Sequence, residues 1–237
     1  MNRIILLACG LLMPFLLKAQ YVKVGPDVGV TYQTMSQTIH GNEYKTEFQM
    51  GFQLGAVVDI EINNDFYLQP GVLFKTQVGG ISNFQDNFSS GAGLPTSVLD
   101  RREYSINTLH IPVYFMYKTG EEFDDSKFFI GLAPYLDVNI GGRFYQKYTH
   151  ALNGVGIAKK KDEVATFGSG HDKHFKRINV GLEAALGYEF SFGLYIKAAY
   201  GMGFLNMSPI ADGQNKFYNH GGGISLGFLI PTQDRQF

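Results

Sequence analysis

The sequence predicts an all-β protein, an eight-stranded antiparallel up-and-down transmembrane β-barrel. Three observations carry that prediction. Apolar and polar residues alternate with a period of two in eight separate runs. The connections between runs are short at one end and mostly long at the other. In each run one parity is apolar while the other collects glycine and charge. The composition agrees: 29 Gly, 20 Phe and 14 Tyr occur in 237 residues without a single Trp. Rings pack well on a pleated surface, and glycine serves its turns and crowded positions. Hydrophobic residues at 45% against charged ones at 17% are too many for a disordered chain. A formal net charge of −1 gives no global basic field for nucleic acid. Beyond the N-terminal segment there is no run of about 18 apolar residues that would make a spanning helix.

The first segment is an address. Asn2-Arg3 is a short positive region, Ile4 to Leu17 is apolar apart from Gly10 and Pro14, and Leu17-Lys18-Ala19 precedes Gln20. This predicts a secretory signal peptide over 1–19, removed after Ala19, and a barrel domain over 20–237. Pro14 and the short length argue against a membrane anchor. Cys9, the only cysteine, lies inside this segment, so cleavage at Ala19 leaves a mature chain without thiol chemistry. The box Leu6-Leu7-Ala8-Cys9 has too short an apolar lead for a lipoprotein signal.

The strands follow in order. Val22 to Tyr32 sets Val24, Val28 and Val30 against Lys23, Asp27 and Thr31. Phe48 to Ile62 is the clearest, apolar at every even position, with Gln, Gly, Asp59 and Glu61 predominating at the odd ones. After the tight turn Asn63-Asn64-Asp65 comes Phe66 to Val78. Tyr104 to Lys118 has Leu109, Ile111, Val113, Phe115 and Tyr117 on one face and His110, Tyr114 and Met116 on the other. Phe128 to Ile140, Ile178 to Phe190, Leu194 to Phe204 and Tyr218 to Ile230 complete the eight, with Ser191-Phe192-Gly193 turning between the sixth and seventh. Four connections are long: 33–47, 79–103, 143–177 and 205–217. An even strand count returns both termini to the short-turn end.

Which face is outermost decides the class. A soluble barrel hides its apolar face around a ligand, whereas a membrane barrel turns it to lipid. Glycines such as Gly51, Gly55, Gly131, Gly187 and Gly227 share the polar parity, as a crowded interior requires. The same parity carries Lys23, Asp27, Asp59, Glu61, Lys75, Asp137, Glu183, Glu189 and Lys197. Facing lipid, each charge would cost up to about 2–4 kcal/mol near the midplane; in a narrow lumen they can pair. Aromatics on the apolar parity cluster near the strand ends, Phe66, Tyr117, Phe128, Phe190 and Phe228 at one and Tyr32, Phe48, Phe204 and Tyr218 at the other. These are two interfacial girdles.

Gly51-Phe52-Gln53-Leu54-Gly55, Phe66-Tyr67-Leu68-Gln69-Pro70-Gly71-Val72-Leu73-Phe74, Leu109-His110-Ile111-Pro112-Val113, Gly131-Leu132-Ala133-Pro134-Tyr135 and Gly187-Tyr188-Glu189-Phe190 fall in order along the mature chain. In these segments it resembles the PorT-type outer-membrane β-barrel family of the Bacteroidota. The resemblance implies an eight-stranded outer-membrane barrel with a secretory signal. One named member takes part in protein secretion, and most have no established activity. The chain departs from such barrels at its end, where Pro231 closes the strand and a polar tail reaches Phe237; either Phe228 or Phe237 would serve as the assembly signal.

Chemistry is sparse. His171 and His174 form an i,i+3 pair without a third spaced ligand, so a solvated loop is expected rather than a metal site. His110 belongs to the lumen parity, and the interior acids are expected to balance lysines rather than catalyse. No phosphate loop, nucleophile motif or zinc signature occurs. No catalytic, cofactor or metal residue is assigned. Charge is instead segregated by end. Residues 143–177 hold Arg143, Lys147, Lys159, Lys160, Lys161, Lys173, Lys176 and Arg177 against Asp162, Glu163 and Asp172, about +5 net. Residues 119–127 hold four acids against Lys127, about −3 net. The expectation is an outer-membrane protein with long loops extracellular and short turns and termini periplasmic. Its expected partners are membrane lipid, lipopolysaccharide phosphates or another acidic surface, the outer-membrane assembly machinery and envelope or secretion proteins. Its role is structural or interactive; a secretion component, a narrow pore and a rim enzyme are the alternatives.

Overall fold

The computed structural model describes residues 21–39, 41–44, 46–82, 96–119, 126–152, 155–210 and 212–232. The predicted signal segment 1–19 and Phe237 lie outside these. The strands are β1 (Tyr21–Ile39), β2 (Asn42–Tyr44), β3 (Thr46–Glu61), β4 (Phe66–Ser82), β5 (Thr96–Thr119), β6 (Lys127–Leu152), β7 (Val155–Val164), β8 (Ile178–Glu189), β9 (Leu194–Gly203), β10 (Lys216–Phe228) and β11 (Ile230–Pro231). Eight of them, β1, β3, β4, β5, β6, β8, β9 and β10, pair antiparallel with their neighbours, and β10 closes on β1 from Asp27↔Gly227 to Thr38↔Lys216. These eight close into an up-and-down barrel.

Alternation places the side chains as predicted. Val28, Phe52, Leu54, Val72, Leu132, Leu186 and Ile224 point outward and are about half exposed. The polar parity is buried inside. Interior glycines face large rings: a Cβ on Gly227 would lie 2.2 Å from the Tyr195 ring and one on Gly187 2.4 Å from Phe129. A barrel this narrow fills its lumen with side chains, so a ring on one strand requires an empty position opposite. At the turn end Phe66 stacks on Phe115 with centroids 5.5 Å apart, and Phe190 on Phe192 at 5.6 Å; at the other end Tyr32 stacks on Phe48 at 5.2 Å.

The short turns behave as expected. Asn63 Oδ1 accepts the N–H groups of Asp65 and Phe66 at 3.1 and 2.8 Å. Gly193 takes a φ of 95°, a conformation that favours glycine, and its N–H bonds the Phe190 carbonyl at 2.9 Å. The Leu229 N–H turns away to the Gly193 carbonyl at 2.8 Å and Pro26 has no N–H, which interrupts the last strand between β10 and β11. The pairing resumes in β11, where Ile230 faces Val24 and Pro231 faces Lys23 of β1, and the strand closes on Pro231 as expected.

The long connections differ from the expectation. Several strands run well beyond the apolar band, β1 to Ile39 and β6 to Leu152. Residues 143–177 are not a simple loop, because Arg143–Leu152 of β6 pairs with β7 in a hairpin from Arg143↔Val164 to Leu152↔Val155. The change of partner from β8 to β7 falls at Gly141 and Gly142, where the β5–β6 register also shifts. The cause is that a ladder continues as long as backbone groups find partners, whereas apolar contrast ends where both faces meet water.

Candidate functional site

The lumen is built in tiers of buried charge. At the turn end, Lys118 Nζ lies 2.7 Å from Asp59 Oδ2 and 2.7 Å from Glu189 Oε2. Lys23 Nζ holds the other oxygen of Glu189 at 2.6 Å. Gln69 donates to Asp59 Oδ1 at 3.0 Å, and the Lys118 ammonium sits 4.5 Å from the Tyr67 ring centroid, a cation–π contact. Glu61 is buried at this end of β3. In the next tier Asp27 gathers four partners: Lys197 Nζ at 2.8 Å, Tyr195 OH at 2.7 Å, Ser225 Oγ at 3.1 Å and Gln53 Nε2 at 2.8 Å.

The third tier holds Lys75 Nζ 3.5 Å from Glu183 Oε2, with the Tyr114 hydroxyl donating to Glu183 Oε1. His110 Nδ1 is 2.6 Å from Asp137 Oδ1 and its Nε2 3.8 Å from Glu183 Oε2. Gln77 Nε2 donates to Asp137 Oδ2 at 3.1 Å, and the Asn219 amide to Gln77 Oε1. The space left among Gln33, Lys75, Asp137, Glu183 and Asn219 is about 10 Å³, room for one water at most. The arrangement pairs buried charge across the lumen and fills its interior with side chains.

Eight of the nine residues read as a lumen network enter ion pairs or carboxylate hydrogen bonds, and Glu61 is buried beside them. Lys118 was not among them, although it shares the parity of His110, Tyr114 and Met116. That parity was the available signal. The polar partners Gln53, Gln69, Gln77, Tyr114 and Tyr195 carry no charge to single them out.

Above the third tier the lumen turns apolar. Met35, Tyr104, Ile106, Phe144, Phe175 and Met207 form a buried cluster. Phe175 reaches into it from the segment after β7, with ring centroids 5.4 Å from Tyr104, 6.2 Å from Phe144 and 6.3 Å from Phe217. The barrel is thus stoppered at its loop end.

The basic residues are spread over this end. In the β6–β7 hairpin Lys147 stands directly opposite Lys160, Tyr148 opposite Lys159 and Gln146 opposite Lys161. Exposed pairs link Arg143 to Asp162 at 3.7 Å, Lys161 to Glu163 at 2.8 Å and Lys173 to Asp172 at 2.6 Å. The hydrogen bond from Lys173 holds Asp172 below the usual carboxylate range. The Lys176 N–H bonds the Met207 carbonyl at 2.9 Å, and the Arg177 carbonyl accepts from Asn139 at 2.8 Å. His171 is exposed, whereas His174 packs on Phe144 with centroids 4.7 Å apart, and its Nδ1 accepts the Thr166 N–H at 3.1 Å. Among the described residues no cluster of three or more His, Cys, Asp or Glu is placed to hold a metal.

A closed barrel with an apolar outer band, two aromatic girdles and a charged lumen is a membrane-spanning β-barrel. Residues 17–208 match the family model of the outer membrane protein beta-barrel domain, and the chain belongs to that family. It is an outer-membrane β-barrel protein. The chain is similar to solved outer-membrane barrels at low identity. Neisserial surface protein A is 10% identical, with a TM-score of 0.38 over 88% of this chain and 96% of that one. OprG from Pseudomonas aeruginosa is 12% identical, with a TM-score of 0.39 over 88% and 94%. Ail, the attachment invasion locus protein of Yersinia pestis, in complex with the heparin analogue sucrose octasulfate, is 14% identical, with a TM-score of 0.33 over 87% and 99%. No curated protein sequence matches the chain.

Proposed function

We propose that this protein is a non-conducting structural and interaction protein of the cell envelope, a rigid barrel that presents its loop end to the outside. The observation that carries this reading is the lumen filled by tiers of buried ion pairs, with about 10 Å³ of space beside the Lys75–Glu183 tier and the Phe175 cluster above it. Short turns and both termini are read as periplasmic. The Thr232 N–H bonds the Val22 carbonyl at 3.0 Å, which holds the first and last described strands together at the turn end. The basic residues from Arg143 to Arg177 would meet lipopolysaccharide phosphates or an acidic envelope partner. The assembly machinery would recognise the terminal strand through Phe228 or Phe237. A catalytic role is not favoured: the His110–Asp137 pair is almost fully buried, out of reach of any substrate.

The PorT-type segments support a finer reading, a Bacteroidota envelope protein with a cleaved signal, one of whose relatives serves secretion. Planar-bilayer recording of the purified barrel tests the main proposal. The expected trace has no discrete conductance steps above the detergent control; reproducible steps would overturn it.

A further inference from the structure

Four separate segments meet at the loop end and enclose a cavity of about 360 Å³. They are the end of β1, the β6–β7 hairpin, residues 165–177 and residues 204–217. We propose that this cavity binds a small amphipathic anion, an aromatic or alicyclic body carrying a carboxylate or sulfonate. Phe144, Phe175 and Phe217 line it with apolar surface, and Ile39, Pro209 and Ile210 add more. The three rings pack edge to face, inclined at 73° and 61°, and form a firm aromatic floor for a planar guest. Its volume lies within the range of small-molecule sites, and barrel mouths are one of their usual places.

Charge selects the sign of the guest. The walls carry the ammonium groups of Lys161 and Lys173 and one carboxylate, Glu163, while Asp172 belongs to an adjacent opening. Both lysines lie in exposed ion pairs, with Glu163 and Asp172. Pairs of that kind hold little energy, so either ammonium can turn to an arriving anion at small cost. The surrounding segment, about +5 in net charge, draws an anion toward the mouth.

The site is also preformed. The Gly170 N–H bonds the Pro209 carbonyl at 3.1 Å, the Lys176 N–H the Met207 carbonyl at 2.9 Å, and the Met207 N–H the Phe217 carbonyl at 2.8 Å. The first two bonds tie residues 165–177 to 204–217 across the mouth and the third braces 204–217 internally, so little ordering remains to oppose binding.

The test is titration calorimetry on the full barrel in lipid nanodiscs, with empty nanodiscs subtracted. The probes are naphthalene-2-sulfonate, its neutral analogue 2-naphthylmethanol and its cationic analogue 2-naphthylmethylammonium. Saturable one-site binding is expected for the sulfonate, at least tenfold tighter than for the ammonium. Lys173→Glu should weaken the sulfonate about tenfold, and Ile210→Trp, which fills the cavity, should abolish binding, both with unchanged heat-modifiable gel mobility. No sulfonate binding beyond empty nanodiscs, equal binding of the cation, or full binding by both folded variants would overturn the proposal. The wild-type comparison of anion with cation needs no variant to fold. The inference needs the mouth but not the closed lumen: a conducting barrel that still binds the sulfonate would remove the non-conducting reading and leave this one standing.

Discussion

The Lys118 ammonium is shared between Asp59 and Glu189 at 2.7 Å each, and the side chain is 1% exposed. Replacing it with methionine would leave two buried carboxylates, one of them keeping only Lys23 and the other its Gln69 hydrogen bond. Breaking a buried pair from one side costs about 3–5 kcal/mol. Lys23→Met should cost about 1 kcal/mol, because that side chain is 22% exposed and Glu189 would keep Lys118. Urea unfolding of the barrel in lipid vesicles measures both; equal losses would mean that the turn end of the lumen is wet. Parity offers a second residue-scale test. Leu54→Arg and Leu182→Arg put a cation on the lipid face and should each cost about 2–4 kcal/mol. Gln53→Arg, pointing inward beside Asp27, should be tolerated better in spite of crowding. Heat-modifiable gel mobility compares the three, and identical behaviour would sink the assignment of faces.

At the scale of elements, the membrane-spanning parts of the strands were legible and the parts beyond them were not. Between Phe48 and Ile62 lipid on one side and lumen on the other impose opposite chemistry on alternate residues, so period two is written into the sequence. Past Ile140 the sequence loses that contrast, and Arg143 to Val164 carry charge on both parities. Only cross-strand pairing reveals that hairpin, and pairing is a non-local property. Phe175 illustrates the same limit: its place in the stopper depends on Tyr104, Phe144 and Phe217, which come from distant parts of the chain. The lumen network was legible because charge on the inward parity has nowhere to go except to a partner. Since β6 pairs with β8 from Lys127 to Val138, below the hairpin, the hairpin is an appendage to a complete barrel. Removing residues 147–160 and closing the strands with Asn-Gly should leave heat-modifiable mobility unchanged. The same deletion should weaken binding to lipopolysaccharide-containing vesicles at low ionic strength. The difference should vanish in about 1 M salt, where screening acts within about 3 Å. Equal binding by both forms at low salt would assign the anionic contact elsewhere.

Across the whole molecule the two ends are chemically different. One end carries the tight turns and both described termini, while the acids of the connection 119–127 lie outside the described residues; the other end carries the hairpin and the stopper, in a segment of about +5 net charge. Closure of β10 on β1 fixes this polarity, since eight antiparallel strands must begin and finish at the same end. The proposed orientation can therefore be read from one residue at each end. Lys161, with its side chain 56% exposed, marks the hairpin, and the exposed Asn64 marks the turn between β3 and β4. Cys9 is the only native cysteine and lies in the predicted signal segment, so a single introduced cysteine reports without background once that segment is removed. With a membrane-impermeant maleimide, Lys161→Cys should label on intact cells. Asn64→Cys should label only after the outer membrane is opened, because a lumen packed with side chains gives the reagent no route through the barrel. The reverse pattern would turn the basic end toward the periplasm and remove lipopolysaccharide as its partner. Labelling of both on intact cells would mean that the reagent crosses the barrel, and would remove the proposed non-conducting reading.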